Sequence, residues 1–259
     1  MRPIPAPLRT GVFTRARARE LGVTDSMLEG SRFVRVLPRV WRAADYRLRD
    51  EDWVHAARLA LPRRAHLTGI SRIQACGLDY GPRLPVRFVI EGDLHLAFDN
   101  VFLHRTKKLP PVDEHGVVVP AAFISYCARA LVVDAIKVGD WLPHHGWMTT
   151  DDVRRLALAE LWRPGADEAI WIIDHLDAGA RSLPESETRA VLTFSGLPAP
   201  GVNVPVELEG LTVIGDLVYE EWASSSSTTG CSTNRTVRST PSTSTGMPLF
   251  APTTCATSR

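Results

Sequence analysis

Composition changes abruptly at one point in this chain, after Trp222. The last 37 residues hold nineteen Ser or Thr, against seventeen in the preceding 222, and none of the 29 acidic residues. A tract so poor in apolar side chains buries too little surface to offset the entropy of ordering, so 223–259 is expected to be disordered. The folding information therefore lies in 1–222, which is long enough for two or three small domains with cores of their own.

The break has a second reading. Up to Trp222 the chain is rich in Arg, Ala, Pro and Val and carries only three Lys (107, 108 and 137), the bias of a high-GC gene. Read one base early, the codons of Ser224 to Gly230 can encode Val-Val-Val-Glu-Tyr-Asp-Gly, a buried strand ending in two carboxylates. The tail is thus expected to be a frameshifted segment, with a genuine Ser/Thr tail as the ordinary alternative.

Several classes are set aside at once. No run approaches the roughly 20 apolar residues that cross a bilayer. The first residues are Arg-rich, with no apolar signal core. Cys76, Cys127, Cys231 and Cys255 form no CxxC pair, against zinc and against a disulfide framework. A cytoplasmic protein with no membrane partner is expected.

Net charge is +1, but it is unevenly spread. Residues 1–50 hold eleven Arg against five acids, a local excess of +6. Such an excess suits a phosphate-binding surface, and equally a solubilising face. The local pattern in 1–48 adds to it. Thr14 caps a short helix from Arg15 to Leu21, stopped by Gly22; Thr24 caps a second from Asp25 to Glu29, stopped by Gly30. Two short helices joined by a tight turn resemble a helix-turn-helix. Phe33 to Val36 and Val40 to Arg42, around Pro38, suit a two-stranded wing. The expected core is Phe13, Leu21, Val23, Leu28, Val34, Val36 and Val40. Arg15, Arg32, Arg35, Arg39 and Arg42 are the candidate phosphate contacts, and Ser26, between Asp25 and Met27, is the candidate groove contact.

Residues 49–180 read as a central α+β domain. Helices are expected at Asp52 to Leu61, Leu67 to Cys76, Ala121 to Val138, Thr150 to Leu161 and Ala166 to Ala178. Strands are expected at Leu84 to Ile90, Asn100 to His104 and Gly116 to Val119. Trp141, Trp147, Trp162 and Trp171 fit best between the helices. His144-His145 reads as a solvated loop pair rather than as metal ligands, and no phosphate loop, nucleophile elbow or HExxH is present.

In 181–222, Ser182-Leu-Pro-Glu185 opens a helix to about Phe194. Strands follow at Val202 to Leu208 and Leu211 to Ile214, and Gly215-Asp216 leads into Leu217 to Tyr219. Asp216 at a strand start is the candidate remnant of a metal site, and the acid of the capping box, Glu185, is the candidate second carboxylate; each also has a purely structural reading.

Gly11-Val-Phe-Thr-Arg-Ala, the Gly22-Val-Thr turn and Phe33-Val-Arg-Val-Leu-Pro-Arg-Val-Trp resemble the N-terminal winged helix of AbiEi-type antitoxins and their actinobacterial relatives. Leu183-Pro-Glu-Ser-Glu-Thr-Arg, Gly196-Leu-Pro and Gly215-Asp-Leu-Val-Tyr resemble the nuclease-like C-terminal domain of the same group, related to very-short-patch-repair endonucleases. The resemblance implies an α+β chain: a winged helix over 1–48, a central domain over 49–180, and an incomplete restriction-endonuclease-like domain over 181–222. It implies a metal site whose acids match Asp216 and Glu185. The next motif of the family, Glu-Tyr-Asp-Gly, is absent in this frame, and a lone Asp does not hold a catalytic Mg²⁺. The expected function is therefore DNA-binding regulation of antitoxin type, on double-stranded DNA and with a cognate toxin as a further partner. No cofactor or catalytic residue is expected. A Mg²⁺-dependent endonuclease and a non-functional product are the alternatives.

Overall fold

A computed structural model describes residues 3–208, 211–222 and 224–226. The architecture is mixed α+β, with nine α-helices and three small sheets among the described residues. By contacts the chain divides into two compact units, Met1–Pro198 and Ala199–Arg259.

The first unit opens with β1 (Val12–Thr14), α1 (Arg15–Glu20), α2 (Asp25–Leu28), β2 (Phe33–Leu37) and β3 (Val40–Ala43). The strands form one antiparallel sheet in the order β1-β3-β2. Both helix starts follow from the sequence: Thr14 Oγ1 accepts the Arg17 N–H at 3.2 Å and Thr24 Oγ1 accepts the Met27 N–H at 3.4 Å. Between the helices the chain turns at Gly22, whose φ of 77° is the left-handed region that glycine enters without strain.

This sheet is buried on both faces. Phe13, Phe33 and Trp41 pack under α1 and α2 with Leu8, Ala18, Val23 and Leu28. Val12, Leu37 and Val40 face the other way, into a cluster with Ala56, Ala57 and Ala60 of α3 (Asp50–Ala60) and with Val86, Phe88 and Val101. Two expected core residues are corrected here. Val34 is 39% exposed and Val36 only half-buried, while Phe33 and Leu37 are buried instead. A register shift between Arg35 and Leu37 turns Leu37 to the face opposite Phe33, since an extra residue in a strand breaks strict alternation. Val34 lies before that shift on β2, an edge strand of the sheet.

The second sheet holds β4 (His66–Leu67), β5 (Val86–Glu91) and β6 (Val101–Thr106), with β4 antiparallel and β6 parallel to β5. Around it lie α4 (Gly69–Gln74), α5 (Val119–Cys127), α6 (Val132–His144), α7 (Thr150–Ala159), α8 (Ala166–Ile173) and α9 (Leu183–Phe194). Phe123, Ile136, Val138, Leu142, Val153, Ala157 and Ile173 fill the core that these helices share.

Three further expectations are corrected. The helix expected over Ala121 to Val138 is two, α5 and α6, broken between Cys127 and Val132. The strand expected at Gly116 to Val119 is a single bridge, Val112 to Val117, after which Val119 opens α5. Of the four Trp expected between helices, Trp147, Trp162 and Trp171 are exposed, and Trp141 alone is partly buried against the helical core.

Helix α9, grouped by sequence with the strands that follow it, is tied to α6 by a buried ion pair. Arg189 Nη2 donates to Asp140 Oδ2 at 2.6 Å, and both side chains are buried. Arg189 Nη1 also donates to the His175 carbonyl, and Asp140 Oδ1 accepts the Asp177 N–H at 2.7 Å. Burial lifts the Asp140 carboxyl above the ordinary carboxylate range, with Arg189 pulling it back.

The second unit is an antiparallel sheet of β7 (Gly201–Leu208), β8 (Leu211–Tyr219) and β9 (Ser224–Ser226), in that order. The disorder expected from residue 223 onward is corrected at Ser224 to Ser226: Leu217, Val218 and Tyr219 pair with Ser226, Ser225 and Ser224. A ladder needs only backbone N–H and C=O, so serines occupy a strand here without valines. The disorder expected of the tail from 227 onward, and the turn expected at Glu209-Gly210, lie outside the described residues.

Candidate nucleic-acid interface

The Arg-rich surface is built on β1 to β3 and the two capped helices. The hairpin of β2 and β3 turns at Pro38-Arg39, with Leu37 paired to Val40 across it. Pro at the first central position and a residue with φ of 65° at the second is the type II combination, so Arg39 holds a left-handed backbone at the hairpin tip. Arg35, on β2, is exposed, as is Arg39, and neither makes an ion pair among the described residues. Arg32 is half-buried at the start of the hairpin.

Two of the expected phosphate contacts are engaged within the protein. Arg15 lies 3.4 Å from Asp25 and 3.7 Å from Glu29, with its guanidinium 5.1 Å above the Trp41 ring. Arg42 folds back, its Nη1 donating to the carbonyls of Ala43, Ala44 and Tyr46 at 2.9, 2.9 and 2.6 Å. Both act as internal ties instead of reaching outward. Three backbone carbonyls at and just after the end of β3 converge on this guanidinium, which carries five donors.

The segment expected to face a groove divides similarly. Ser26 is exposed, but Met27 packs partly against the N-terminal core. Asp25 pairs with Arg19 Nε at 3.0 Å as well as with Arg15, so its carboxylate clips α1 to α2 and is held below the ordinary range by Arg19. The clip residue Asp25 and the platform residue Trp41 are what sequence reading missed. The available signal was alternation: Trp41 sits between Val40 and Arg42, and pairing sets it opposite Phe13 and Arg35.

The remnant-metal candidates fall in different units. Glu185 is buried at the third position of α9, where Ser182 Oγ donates to Oε1 at 2.7 Å and the Arg181 N–H donates to Oε2 at 3.0 Å. Ser182 Oγ also accepts the Glu185 N–H at 3.4 Å, the N-cap its spacing allowed, while the Glu185 carboxylate reaches one residue past the cap to Arg181. Asp216 is half-buried in β8, one residue after Gly215. His144 and His145 close α6, each with Nδ1 on a carbonyl, of Ala178 and Trp141 respectively. Among the described residues no group of three or more His, Cys, Asp or Glu is arranged to hold a metal ion. No helix among them is long and apolar enough to cross a membrane. No protein-family model matches this chain, and no curated protein sequence does.

Proposed function

We propose that Val12 to Ala43 is a winged helix that binds double-stranded DNA, and that the protein is a DNA-binding regulator of antitoxin type. One observation carries this reading: two capped helices between β1 and β2, followed by a hairpin whose strand β3 pairs with β1, with exposed Arg35 and Arg39 on that hairpin. In a helix-turn-helix of this kind the second helix enters the major groove, which gives that role to α2 and its exposed Ser26. The wing arginines then rest on the phosphate backbone.

Binding should fall steeply with salt. Each phosphate neutralised contributes about 0.9 to the slope of log affinity against log salt. Arg35→Ala with Arg39→Ala should therefore flatten that slope by about 1.8. At 0.1 M salt this corresponds to a loss of about 60-fold relative to a 1 M reference. A slope unchanged in the double variant, measured by fluorescence anisotropy on a duplex, would count against the assignment. In this reading the strands carrying Asp216 are a degenerate nuclease-like end with no cleavage of their own. Mg²⁺-dependent duplex cleavage that Asp216→Ala abolishes would overturn that part.

A further inference from the structure

A cavity of about 790 Å³ lies between the β5-β6 sheet and helices α5 and α7. Its volume is that of a small-molecule site. The sheet supplies Arg87, Val89, Phe102 and His104, and the loop that separates α5 from α6 supplies Arg129. Much of the remaining wall is apolar, including Ile70, Leu109, Ile124 and Trp162.

The charges on this wall do not balance. Arg87 and Arg129 both stand over the Phe102 ring, at 5.4 and 5.6 Å from its centre. No carboxylate pairs with either among the described residues. The two carboxylates on the wall are already engaged: Asp134 accepts the Tyr80 hydroxyl, and Glu160 sits between Lys108 and Arg163. Four fixed cations thus face two engaged acids. Arg163 in addition keeps its buried Nη2 without an acceptor. Burial, then the neighbouring Arg129, lowers the Arg87 pKa, and burial with Arg129 and Arg105 lowers that of His104. Half-buried Arg87 and exposed Arg129 thus stand at the mouth of the recess with no carboxylate between them; their guanidiniums repel one another, and an anion placed between them removes that cost.

We propose that this cavity is a binding site for a small organic anion, whose carboxylate or phosphate head lies on Arg87 and Arg129 and whose apolar body fills the recess toward Ile124 and Leu109. Guanidiniums bind such heads through two parallel hydrogen bonds, which gives them geometry as well as charge. The site is independent of the DNA-binding reading and uses none of its residues.

Anilinonaphthalene sulfonate, which pairs one anionic group with an apolar body, is the direct probe, and neutral N-phenylnaphthylamine is its control. Fluorescence titration of the full chain should give at least about tenfold tighter binding of the sulfonate. Arg87→Gln with Arg129→Gln should remove that preference and leave the neutral dye unaffected, while Arg87→Lys with Arg129→Lys retains part of it. Octyl phosphate or octanoate should displace the sulfonate, and which does so names the head group; octanol should not. Equal binding of the two dyes by the unaltered protein overturns the proposal even if the variants fail to fold. So does displacement by octanol. Loss of duplex binding in the glutamine variant, with slopes still sensitive to Arg35 and Arg39, would show that the basic wall serves nucleic acid instead and would also overturn it.

Discussion

Replacing Asp140 by Ala tests the join between α6 and α9 most directly. The substitution removes a fully buried carboxylate and strands the Arg189 guanidinium, whose side chain is 7% exposed. It also takes the acceptor from the Asp177 N–H. Breaking a buried pair from one side typically costs 3–5 kcal/mol, because the remaining charge has neither water nor partner. An amide left without an acceptor adds to this, though not additively. The expected loss is about 4 kcal/mol, a large share of a typical 5–15 kcal/mol stability. Replacing both members, Asp140→Leu with Arg189→Met, removes the stranded charge as well, and should recover at least about 2 kcal/mol of that loss. Urea unfolding followed by Trp fluorescence reads both. Trp171 stacks on Phe194 of α9 at 5.6 Å, so its emission reports release of that helix. A single-variant loss below about 1 kcal/mol, or a double variant no more stable than Asp140→Ala, would refute the argument.

Three other substitutions or titrations follow from the same structure. Gly165→Ala should cost about 3 kcal/mol or more, because φ is 93° there and a Cβ would lie 1.9 Å from the Ile124 carbonyl oxygen; a urea midpoint near the parent's would refute this. Arg39→Gly should leave stability unchanged or raise it by up to about 1 kcal/mol, since it relieves a left-handed residue at some entropic cost, while lowering the salt slope of duplex binding by about 0.9. Weaker binding with no loss of melting temperature is the expected pair of results. The lowered His104 pKa means that the unfolded chain takes up its proton first on acidification. His104 therefore contributes stability that is full above the unfolded value near 6.5 and declines as pH falls from there to the folded value. NMR titration of its ring should give a value below 6.5 that rises when anilinonaphthalene sulfonate is added; a free-protein value at or above 6.5 would refute it.

Local signals were readable wherever a short window holds the whole cause. The caps at Thr14, Thr24 and Ser182 mark three helix starts, each with the side-chain acceptor in place. The apolar run ending at Ile90 marks β5. The break between α5 and α6 has no such signal, because no Gly or Pro lies between Ala121 and Val138. What accompanies it is distant in sequence: the chain at Gly165 lies against the last turn of α5, within Cβ reach of Ile124 and Ala128. The exposed Trp side chains were misplaced for a related reason. Trp171 stacks on His175 and Phe194 at the surface, a contact that depends on where α9 docks. At the candidate interface, composition identified the segment but not which arginines face outward. Arg15 and Arg42 are turned inward by Asp25, Trp41 and three carbonyls that only the fold brings near them. The cavity left one trace in the sequence, a charge at Arg87 inside the apolar run Val86 to Ile90 of β5.

Alternation along β5 links these parts. Val86 and Phe88 point toward α3 and the Val12, Leu37 and Val40 face of the N-terminal sheet, whereas Arg87 and Val89 line the cavity. One sheet therefore separates the recess from the support of the arginine hairpin. A fragment ending at residue 48 would uncover Val12, Leu37 and Val40 together, so the hairpin depends on α3 and β5 for its position. Cutting before residue 181 would instead remove α9 and leave Asp140 without Arg189 and Lys137 without Glu187, a cost borne by α6 on the far side of the shared helical core. The boundaries expected at residues 48 and 180 thus run through continuous cores, and the first break in contacts comes only after Pro198.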